Sequence, residues 1–349
     1  MAAWSHEVTR APMRRTLLGQ PVLLWRQADG RATALLAACP HRWMPLDPAR
    51  LVDGDLECPY HGARFDASGA CVRAPLDQRA PPSFALRRFS VVERGPCVLI
   101  WMGDGDRAEP SRVPPVERLG LGVAGWRQDV GAHQSVAARI QLVIENLFDQ
   151  SHIGAVHPAT LGGAHAEAIS SEVVEDPHSL SVIRTMPSIA SDDLMRTLMP
   201  NLGDRMINRA RIEMLGAGII ASLGSQTFAA EEVDSIGLLL GELNFVHLLT
   251  PETAGRTHYF TAITRTFACD DDAFSQMLLE RNALIVAEDA AVLEALEDVV
   301  DAVADRRTEV TFASDAAAIC ARRRIADMID EERASGRNRP HGCLDAPPP

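Results

Sequence analysis

The stretch CPHRWMPL at residues 39–46, together with CPYHGARFDASG at residues 58–69, decides the fold of the N-terminal part of the chain. Each stretch holds one cysteine and one histidine, and sixteen residues separate the two pairs. Two thiolates on one iron and two imidazoles on the other hold a mixed-ligand [2Fe–2S] cluster. The spacing therefore predicts such a cluster on two facing loops, with the ligands Cys39, His41, Cys58 and His61.

A structural zinc site is the alternative for these four residues. Small zinc modules normally combine C-x₂₋₄-C with a helix that carries H-x₃₋₅-H. Here cysteine and histidine alternate, and residues 16–101 predict short strands bounded by turns. The predicted strands are Pro21–Trp25, Ala32–Ala37 and Phe89–Trp101, with turns at Asp29-Gly30, Asp53-Gly54 and Arg94-Gly95-Pro96. We therefore expect an all-β domain with an iron–sulfur cluster rather than zinc.

Residues 103–117, GDGDRAEPSRVPPVE, separate this part from the rest of the chain. They are rich in Gly, Pro and charge and hold no periodic apolar face, as expected of a linker. We predict a cluster domain at 1–107, a linker at 108–126 and a second domain at 127–349. The second domain mixes two periodicities, with helices near 138–156 and over 271–304 and strand-like alternation near 169–186, 206–223 and 236–267. The expected fold class is α+β.

Two histidines, His152 and His157, lie in the segment ENLFDQSHIGAVHP at 145–158. On an ideal helix they would be about 140° apart, so joint metal binding needs a distorted or ending helix. Gly154 and Pro158 are residues that distort or end a helix. Two imidazoles and one carboxylate form the facial triad of non-haem Fe(II) oxygenases. The chain has 47 acidic residues, so this pattern alone does not choose the carboxylate.

Composition argues against several kinds of partner. The formal net charge of −13 repels phosphate backbones and anionic lipid, so we expect neither nucleic acid nor a membrane as a partner. No stretch has the roughly 18 consecutive apolar residues of a membrane helix, and MAAWSHEVTRAPMRR at 1–15 lacks the apolar core of a secretion signal. Seven scattered cysteines favour reduced thiols and metal binding over disulfides. The expected compartment is the cytoplasm.

The chain resembles the Rieske non-haem iron oxygenases, both in the two cluster stretches and in residues 145–158. The latter segment is similar to the family motif N-x-x-D-x-x-H-x₄-H, with matches at Asn146, Asp149, His152 and His157. The resemblance implies one Rieske cluster and one mononuclear Fe(II) per subunit. It also implies that Asn146 and Asp149 are catalytic, with Asp149 bonded to His152 and to the partner subunit's His61.

The third ligand of the mononuclear iron is also implied by resemblance. In the family a carboxylate on a long C-terminal helix completes the iron site. The triplet Ala287-Glu288-Asp289 matches that position at Asp289, with Glu288 as the alternative register. The expected iron ligands are therefore His152, His157 and Asp289.

The stretch HLLTPETAGRTHYF at 247–260 is most similar to the branch of the family that includes vanillate and dicamba O-demethylases. This resemblance implies a helix-grip catalytic domain, a homotrimer, a small aromatic substrate and removal of an ether methyl group with O₂. It further implies that His247 binds substrate, and the alternative is a core histidine bonded to backbone. The sequence has no G-x-G-x-x-G that opens a helix and no plant-type ferredoxin motif. A separate reductase or ferredoxin must therefore deliver NAD(P)H-derived electrons.

Two other functions stay open from the sequence. The nearer one is hydroxylation of an aromatic ring or side chain by an oxygenase of the same family. The more distant one is electron transfer alone, by a Rieske domain with an accessory domain. The presence of a second iron site would argue against the electron carrier, whereas only the identity of the product separates the two oxygenase reactions.

Overall fold

The computed structural model describes residues 1–77, 79–149, 151–162, 170–176, 179–190, 205–229, 242–303 and 309–334. The contacts between residues divide the chain into two compact units. The first contains Met1–Val113 and the residues from Ile325 onward, and the second contains Pro114–Arg324. The division after Val113 falls within the predicted linker. The linker limits at 108 and 126 stay a prediction.

Short antiparallel strands build the first unit. They are β1 (Ala3–Trp4), β2 (Met13–Leu17), β3 (Gln20–Arg26), β4 (Ala32–Leu36), β5 (Ala38–Cys39), β6 (Met44–Pro45), β7 (Arg50–Val52), β8 (Asp55–Glu57), β9 (Arg64–Phe65), β10 (Cys71–Arg73), β11 (Arg88–Arg94) and β12 (Cys97–Trp101). A six-stranded sheet has the order β1-β12-β11-β4-β3-β2, a four-stranded sheet has the order β10-β9-β8-β7, and β5 pairs with β6. The predicted all-β fold of this part is confirmed.

Strand β3 explains how this unit supports the two ligand loops. Four consecutive residues of β3 are buried because it lies between β2 and β4 with apolar groups on both faces. Val22 and Leu24 enter one apolar cluster, whereas Leu23 and Trp25 enter another, as expected from the two-residue period of a strand. The second cluster also contains both predicted cysteine ligands. The apolar face of the sheet therefore forms the support beneath the loops.

The second unit combines one large sheet with helices. Its strands are β13 (Arg127–Val130), β14 (Gln134–Val136), β15 (Ser170–Glu175), β16 (Leu180–Ala190), β17 (Arg205–Gly216), β18 (Ile219–Ala229), β19 (Leu243–Thr253) and β20 (Arg256–Arg265). The antiparallel sheet has the order β13-β20-β19-β18-β17-β16-β15, and β14 also pairs with β20. The helices are α1 (Ile140–Phe148), α2 (Ile153–Val156) and α3 (Asp272–Ala302), and α4 (Ala316–Ala334) follows. The predicted α+β class is confirmed, although residues 150, 169, 177–178, 236–241 and 304 of the predicted elements lie outside the described residues.

The helix predicted over 138–156 is in fact two helices. Helix α1 ends at Phe148 and α2 begins at Ile153. Between them, Asp149 Oδ1 accepts hydrogen bonds from the backbone N–H and the hydroxyl of Ser151, both at 2.7 Å. Such local side-chain bonds compete with the helical pattern. The prediction of a single helix was therefore wrong, and the break supplies the distortion that a two-histidine metal site needs.

Helix α3 corresponds to the long helix predicted over 271–304 and carries Asp289. Its first turn is capped by Asp271, whose side chain accepts a hydrogen bond from the Phe274 N–H at 2.9 Å. Phe274 and Leu278 pack against apolar residues of β19 and β20. Although α3 has 31 residues, no helix within the described ranges combines the length and hydropathy of a membrane-spanning segment.

Arg139 and Glu297 join the start of α1 to α3. The guanidinium of Arg139 donates to both carboxylate oxygens of Glu297 at 2.6 to 3.0 Å, and its backbone N–H donates at 2.9 Å. Glu297 is buried, so its charge is matched by Arg139 rather than by water. This contact holds the segment that carries the two histidines beside the helix that carries Asp289.

Candidate metal centres

Two tight loops bring the four predicted cluster ligands together. The first is the hairpin between β5 and β6, in which Cys39 pairs with Met44. The second follows β8, where the Cys58 N–H donates to the Ala63 carbonyl at 2.8 Å. Gly62 has a φ of 71°, which favours glycine. Backbone hydrogen bonds close both loops, so the ligand positions are set locally.

The cysteines and histidines of these loops lie in different environments. Cys39 and Cys58 are each 1% exposed, whereas His41 and His61 are exposed and their Nδ1 atoms are 3.1 Å apart. Burial, with the neighbouring Cys58 thiol, raises the pKa of Cys39 to about 11. A buried thiol of this kind becomes a thiolate when it binds a metal. Two adjacent buried thiols and two adjacent exposed imidazoles fit a mixed-ligand cluster.

The surface around the two histidines is aromatic, and residues 1–113 carry a net positive charge. Trp43 and Tyr60 are 52% and 60% exposed, and the Tyr60 ring lies 3.8 Å from the His61 ring between centroids. Residues 1–113 contain 15 arginines and 12 acidic residues, a formal charge of +3, in a chain whose total is −13. Residues 1–113 therefore have the opposite sign of charge from residues 114–349.

In the second unit, His152, His157 and Asp289 converge. One ligand atom of each lies within 4.8 Å of the others. Asp289 Oδ1 is 3.0 Å from His157 Nε2 and 3.4 Å from His152 Nε2, and it accepts a hydrogen bond from Asn146 Nδ2 at 3.1 Å. His152 precedes α2 and His157 follows it, so one short helix brings both rings to the same carboxylate. Two imidazole nitrogens and one carboxylate oxygen fit an Fe(II) site with open positions.

Burial and charge act in opposite directions at these ligands. Burial disfavours protonated His152, but the carboxylates of Asp149 and Asp289 outweigh it and raise the pKa of His152 to about 9. Burial also opposes ionisation of Asp289, but hydrogen bonds from His152 and Asn146 outweigh it and lower the pKa of Asp289. A metal that binds here must displace the His152 proton, so its affinity should depend on pH.

Asp149 lies on the far side of His152 from Asp289. Its Oδ2 is 3.8 Å from His152 Nδ1, within ion-pair range but beyond a hydrogen bond. That nitrogen is buried and has no hydrogen-bond partner in the described part of the chain. Arg184, which is buried, donates to the Phe148 carbonyl at 3.0 Å and fixes the end of α1 directly before Asp149. The predicted interface carboxylate is thus held beside His152.

Glu288 contacts the same histidine as Asp289 but at its other nitrogen. Its Oε2 lies 2.7 Å from His157 Nδ1 and accepts a hydrogen bond from Thr160 Oγ1 at 2.6 Å. Glu288 is not one of the three converging residues. Sequence reasoning treated the two adjacent carboxylates only as alternatives, and nothing in the sequence pointed to Thr160.

His247 on β19 and Tyr259 on β20 form a hydrogen-bonded pair. The Tyr259 hydroxyl is 2.8 Å from His247 Nδ1. Burial lowers the pKa of His247 to about 4 and raises the pKa of Tyr259, and the charge of Asp289 reaches both groups. The pair is therefore within electrostatic range of Asp289 and is uncharged at neutral pH. His247 was predicted from the sequence, whereas Tyr259 was not.

Two family comparisons cover most of the chain. Residues 1–89 match the Rieske [2Fe–2S] domain, and residues 136–331 match the vanillate O-demethylase oxygenase C-terminal domain. The oxygenase component of dicamba O-demethylase from Stenotrophomonas maltophilia is 34% identical over 303 residues, which are 85% of this chain and 86% of that protein. A putative toluene-4-sulfonate monooxygenase system iron-sulfur subunit from Comamonas testosteroni is 32% identical over 321 residues, 90% and 91% of the two chains.

Solved structures agree with these matches. Dicamba monooxygenase bound to 3,6-dichlorosalicylic acid superposes with a TM-score of 0.85 at 30% identity, covering 95% of this chain and 97% of that one. The same enzyme with non-heme iron and dicamba gives a TM-score of 0.81 at 30% identity, with 96% and 97% covered. Together with the converging triad, the matches give the chain two cofactors, a Rieske [2Fe–2S] cluster and a mononuclear non-haem iron.

Proposed function

This chain belongs to the Rieske non-haem iron oxygenases, as an oxygenase component related to vanillate and dicamba O-demethylases, and we propose that it removes the methyl group of a small aromatic ether. It is an oxidoreductase that uses O₂, so the electron-carrier alternative is set aside. The convergence of three ligand atoms within 4.8 Å carries the proposal, and the neutral His247–Tyr259 pair, which the charge of Asp289 reaches, supports it. The proposal includes the domain limits predicted from the sequence, which are a cluster domain at 1–107, a linker at 108–126 and a catalytic domain at 127–349.

The proposed ligand sets follow from the two centres. In the first unit, the cluster is held by Cys39, His41, Cys58 and His61. In the second unit, the iron is held by His152, His157 and Asp289. When bound, the cluster supplies single electrons and the mononuclear iron supplies O₂ activation at its open positions.

The chain's own side chains position these groups and the substrate. Asn146 donates to Asp289 and so limits the rotation of that carboxylate. Asp149 attracts the Nδ1 side of His152, and in a homotrimer it would accept a hydrogen bond from the partner subunit's His61. His247, uncharged and held by Tyr259, offers its Nε2 to the polar end of an aromatic substrate.

The reaction balances with one O₂ per methyl group. An aromatic methyl ether, O₂, two electrons and two protons give a phenol, formaldehyde and water. The oxygen atom enters a methyl C–H bond, and the resulting hemiacetal breaks its O–CH₂ bond to release formaldehyde. The electrons come from NAD(P)H through a separate reductase or ferredoxin, because the chain has no evident site for a nicotinamide or flavin.

The electron donor is expected to be acidic where it docks. Residues 1–113 carry a formal charge of +3, and the exposed His41 and His61 of this segment are expected to lie nearest the cluster. Complementary charge accelerates encounter between proteins. We place this exchange in the cytoplasm, where NAD(P)H and reduced thiols occur.

An O₂-uptake screen tests the proposed reaction. Purified protein with a surrogate reductase is supplied with aromatic acids, ethers and amines. For an active methoxylated substrate, formaldehyde should equal phenol, and label from ¹⁸O₂ should enter formaldehyde before it exchanges with water. A product that keeps its methyl group and gains a hydroxyl would reject demethylation and establish the hydroxylase alternative.

A further inference from the structure

His157 contacts a carboxylate at each of its two ring nitrogens. Nε2 lies 3.0 Å from Asp289 Oδ1 and Nδ1 lies 2.7 Å from Glu288 Oε2. The side chain of His157 is only 1% exposed, so water has little access to either nitrogen. Glu288 and Asp289, two consecutive residues of α3, therefore contact the two ring nitrogens of His157.

We propose that Glu288 is a positioning residue of the mononuclear iron site, and that it holds the proton of His157 on Nδ1 so that Nε2 presents its lone pair to the metal. The inference rests on the proposed ligand set of His152, His157 and Asp289. A neutral imidazole has one N–H, and an ionised carboxylate accepts it strongly. With the proton held at Nδ1, the tautomer and the ring orientation are fixed before metal arrives.

Thr160 holds Glu288 in this position. Its hydroxyl donates to the same oxygen, Oε2, at 2.6 Å. The Thr160 carbonyl in turn accepts a hydrogen bond from Arg281, one more residue of α3, at 2.5 Å. The chain directly after His157 is thus tied to α3 at two points. Glu288 cannot turn away from the ring without losing the Thr160 bond.

The position of Glu288 separates this role from a purely structural one. Its side chain is 32% exposed, so truncation opens no closed cavity in the core. The lost group is the acceptor for His157 Nδ1. Removal of comparable outer contacts to metal-binding histidines typically costs about 10- to 100-fold in metal affinity. The fold should be unaffected, and so should the cluster, whose proposed ligands belong to the other unit.

Cobalt binding measures this role without turnover. Full-length protein, stripped of mononuclear iron but with its cluster intact, is dialysed against Co(II), and bound cobalt is measured. Glu288→Ala should weaken binding by roughly 10- to 100-fold. Glu288→Gln, which keeps an acceptor oxygen but no charge, and Thr160→Val should fall between Glu288→Ala and wild type. Asp298→Ala is the matched control, because it removes an exposed carboxylate from the same helix.

A spectroscopic readout complements affinity. With the cluster oxidised, the EPR signal of the Fe(II) nitrosyl complex reports the symmetry of the iron site. Glu288→Ala should broaden or shift this signal, whereas Asp298→Ala should reproduce the wild-type line. If Glu288→Ala keeps wild-type cobalt affinity and an unchanged signal, the proposal is wrong. If that variant fails to fold, wild-type behaviour of both Glu288→Gln and Thr160→Val would overturn it.

The outcome is separable from the proposed reaction. Iron binding that depends on Glu288, in a protein that demethylates no aromatic ether, would support the positioning role and reject the substrate class. Cobalt binding unaffected by His157→Ala would reject the ligand set on which the inference rests. In that case the contact between Glu288 and His157 has no role in metal binding.

Discussion

The two metal centres differ in how far apart in sequence their residues lie. His41 and His61 of the cluster site are separated by 20 positions, and each stands on a loop closed by backbone hydrogen bonds. His157 and Asp289 are separated by 132 positions and meet through side-chain contacts. The first centre is local, whereas the second depends on the fold of the whole unit.

This difference predicts different sensitivities. The cluster cysteines lie in one apolar core with Leu23 and Trp25, so their geometry follows from a single sheet and its loops. The mononuclear site depends on the ion pair between Arg139 and Glu297, which holds the histidine segment against α3. Changes remote from the ligands should therefore disturb the second centre more than the first.

The largest effect is expected from Cys58→Ser, which removes a buried thiol that we propose as a ligand of the cluster. The variant should lose the red-brown colour and the rhombic EPR signal of the reduced protein, because unequal Cys and His ligation makes the two irons inequivalent. Metal analysis should still find mononuclear iron, since all its contacts lie in the other unit. Loss of both metals would show that the centres are not independent. Zinc in place of iron in the wild-type cluster site would contradict the assignment.

The next effect concerns Asp149→Asn. The variant should keep both metals and lose most turnover, because Asp149 is assigned to orient His152 and to link the two centres rather than to bind metal. Steady-state turnover, with iron and cluster content measured on the same sample, tests this. Near wild-type turnover with normal coupling of O₂ to product would eliminate the role. Loss of iron would make Asp149 a ligand.

The same contrast explains what the sequence could predict. The cluster loops follow from spacing alone, because both halves of the ligand set are short local motifs. The long helix followed from its periodicity, and its observed range of Asp272–Ala302 is close to the expected 271–304. Asp289 came only from resemblance, because nothing local distinguishes it from 46 other acidic residues.

The supports of the mononuclear site could not be predicted. Arg139 and Glu297 pair across 158 positions, and Thr160 reaches Glu288 across 128. Ion pairs and hydrogen bonds of this kind have no period and no fixed spacing. The break after Phe148 was also not predicted. The hydrogen bonds that Asp149 accepts from Ser151 compete with a helical pattern that otherwise continues in the sequence.

A smaller and graded effect should distinguish the centres by pH. In metal-free protein the pKa of His152 is raised to about 9, so below that pH the ring carries a proton that metal must displace. Mononuclear metal affinity should therefore rise about tenfold per pH unit from 7 towards 9 and level off above, with one proton released per metal. Cobalt titration at several pH values measures this. A flat profile would mean that His152 is already neutral at pH 7 or that it is not a metal ligand.

Asp149→Asn sharpens the pH test. Asp149 is one of the two carboxylates that raise the pKa of His152, so its neutralisation should move the levelling point to lower pH. Cluster content should stay constant over the same range, because the cluster is loaded before titration. An unchanged levelling point would leave Asp289 as the sole cause of the raised pKa.

The smallest effect is expected at His247, which binds neither metal in this assignment. Burial lowers its pKa to about 4, so the ring is neutral during turnover. We assign the Tyr259 hydroxyl, 2.8 Å from Nδ1, as the donor, which leaves Nε2–H free to donate to substrate. Since His247→Ala leaves a buried polar group of the substrate unpaired, it should cost roughly 1–3 kcal/mol in kcat/KM or uncouple O₂ use from formaldehyde. Both metals should stay loaded. Tyr259→Phe should act in the same direction but less, because it frees the ring without removing it. Unchanged KM and coupling in His247→Ala, on a substrate that the wild type demethylates, would make this histidine a packing residue and confine substrate recognition to other side chains.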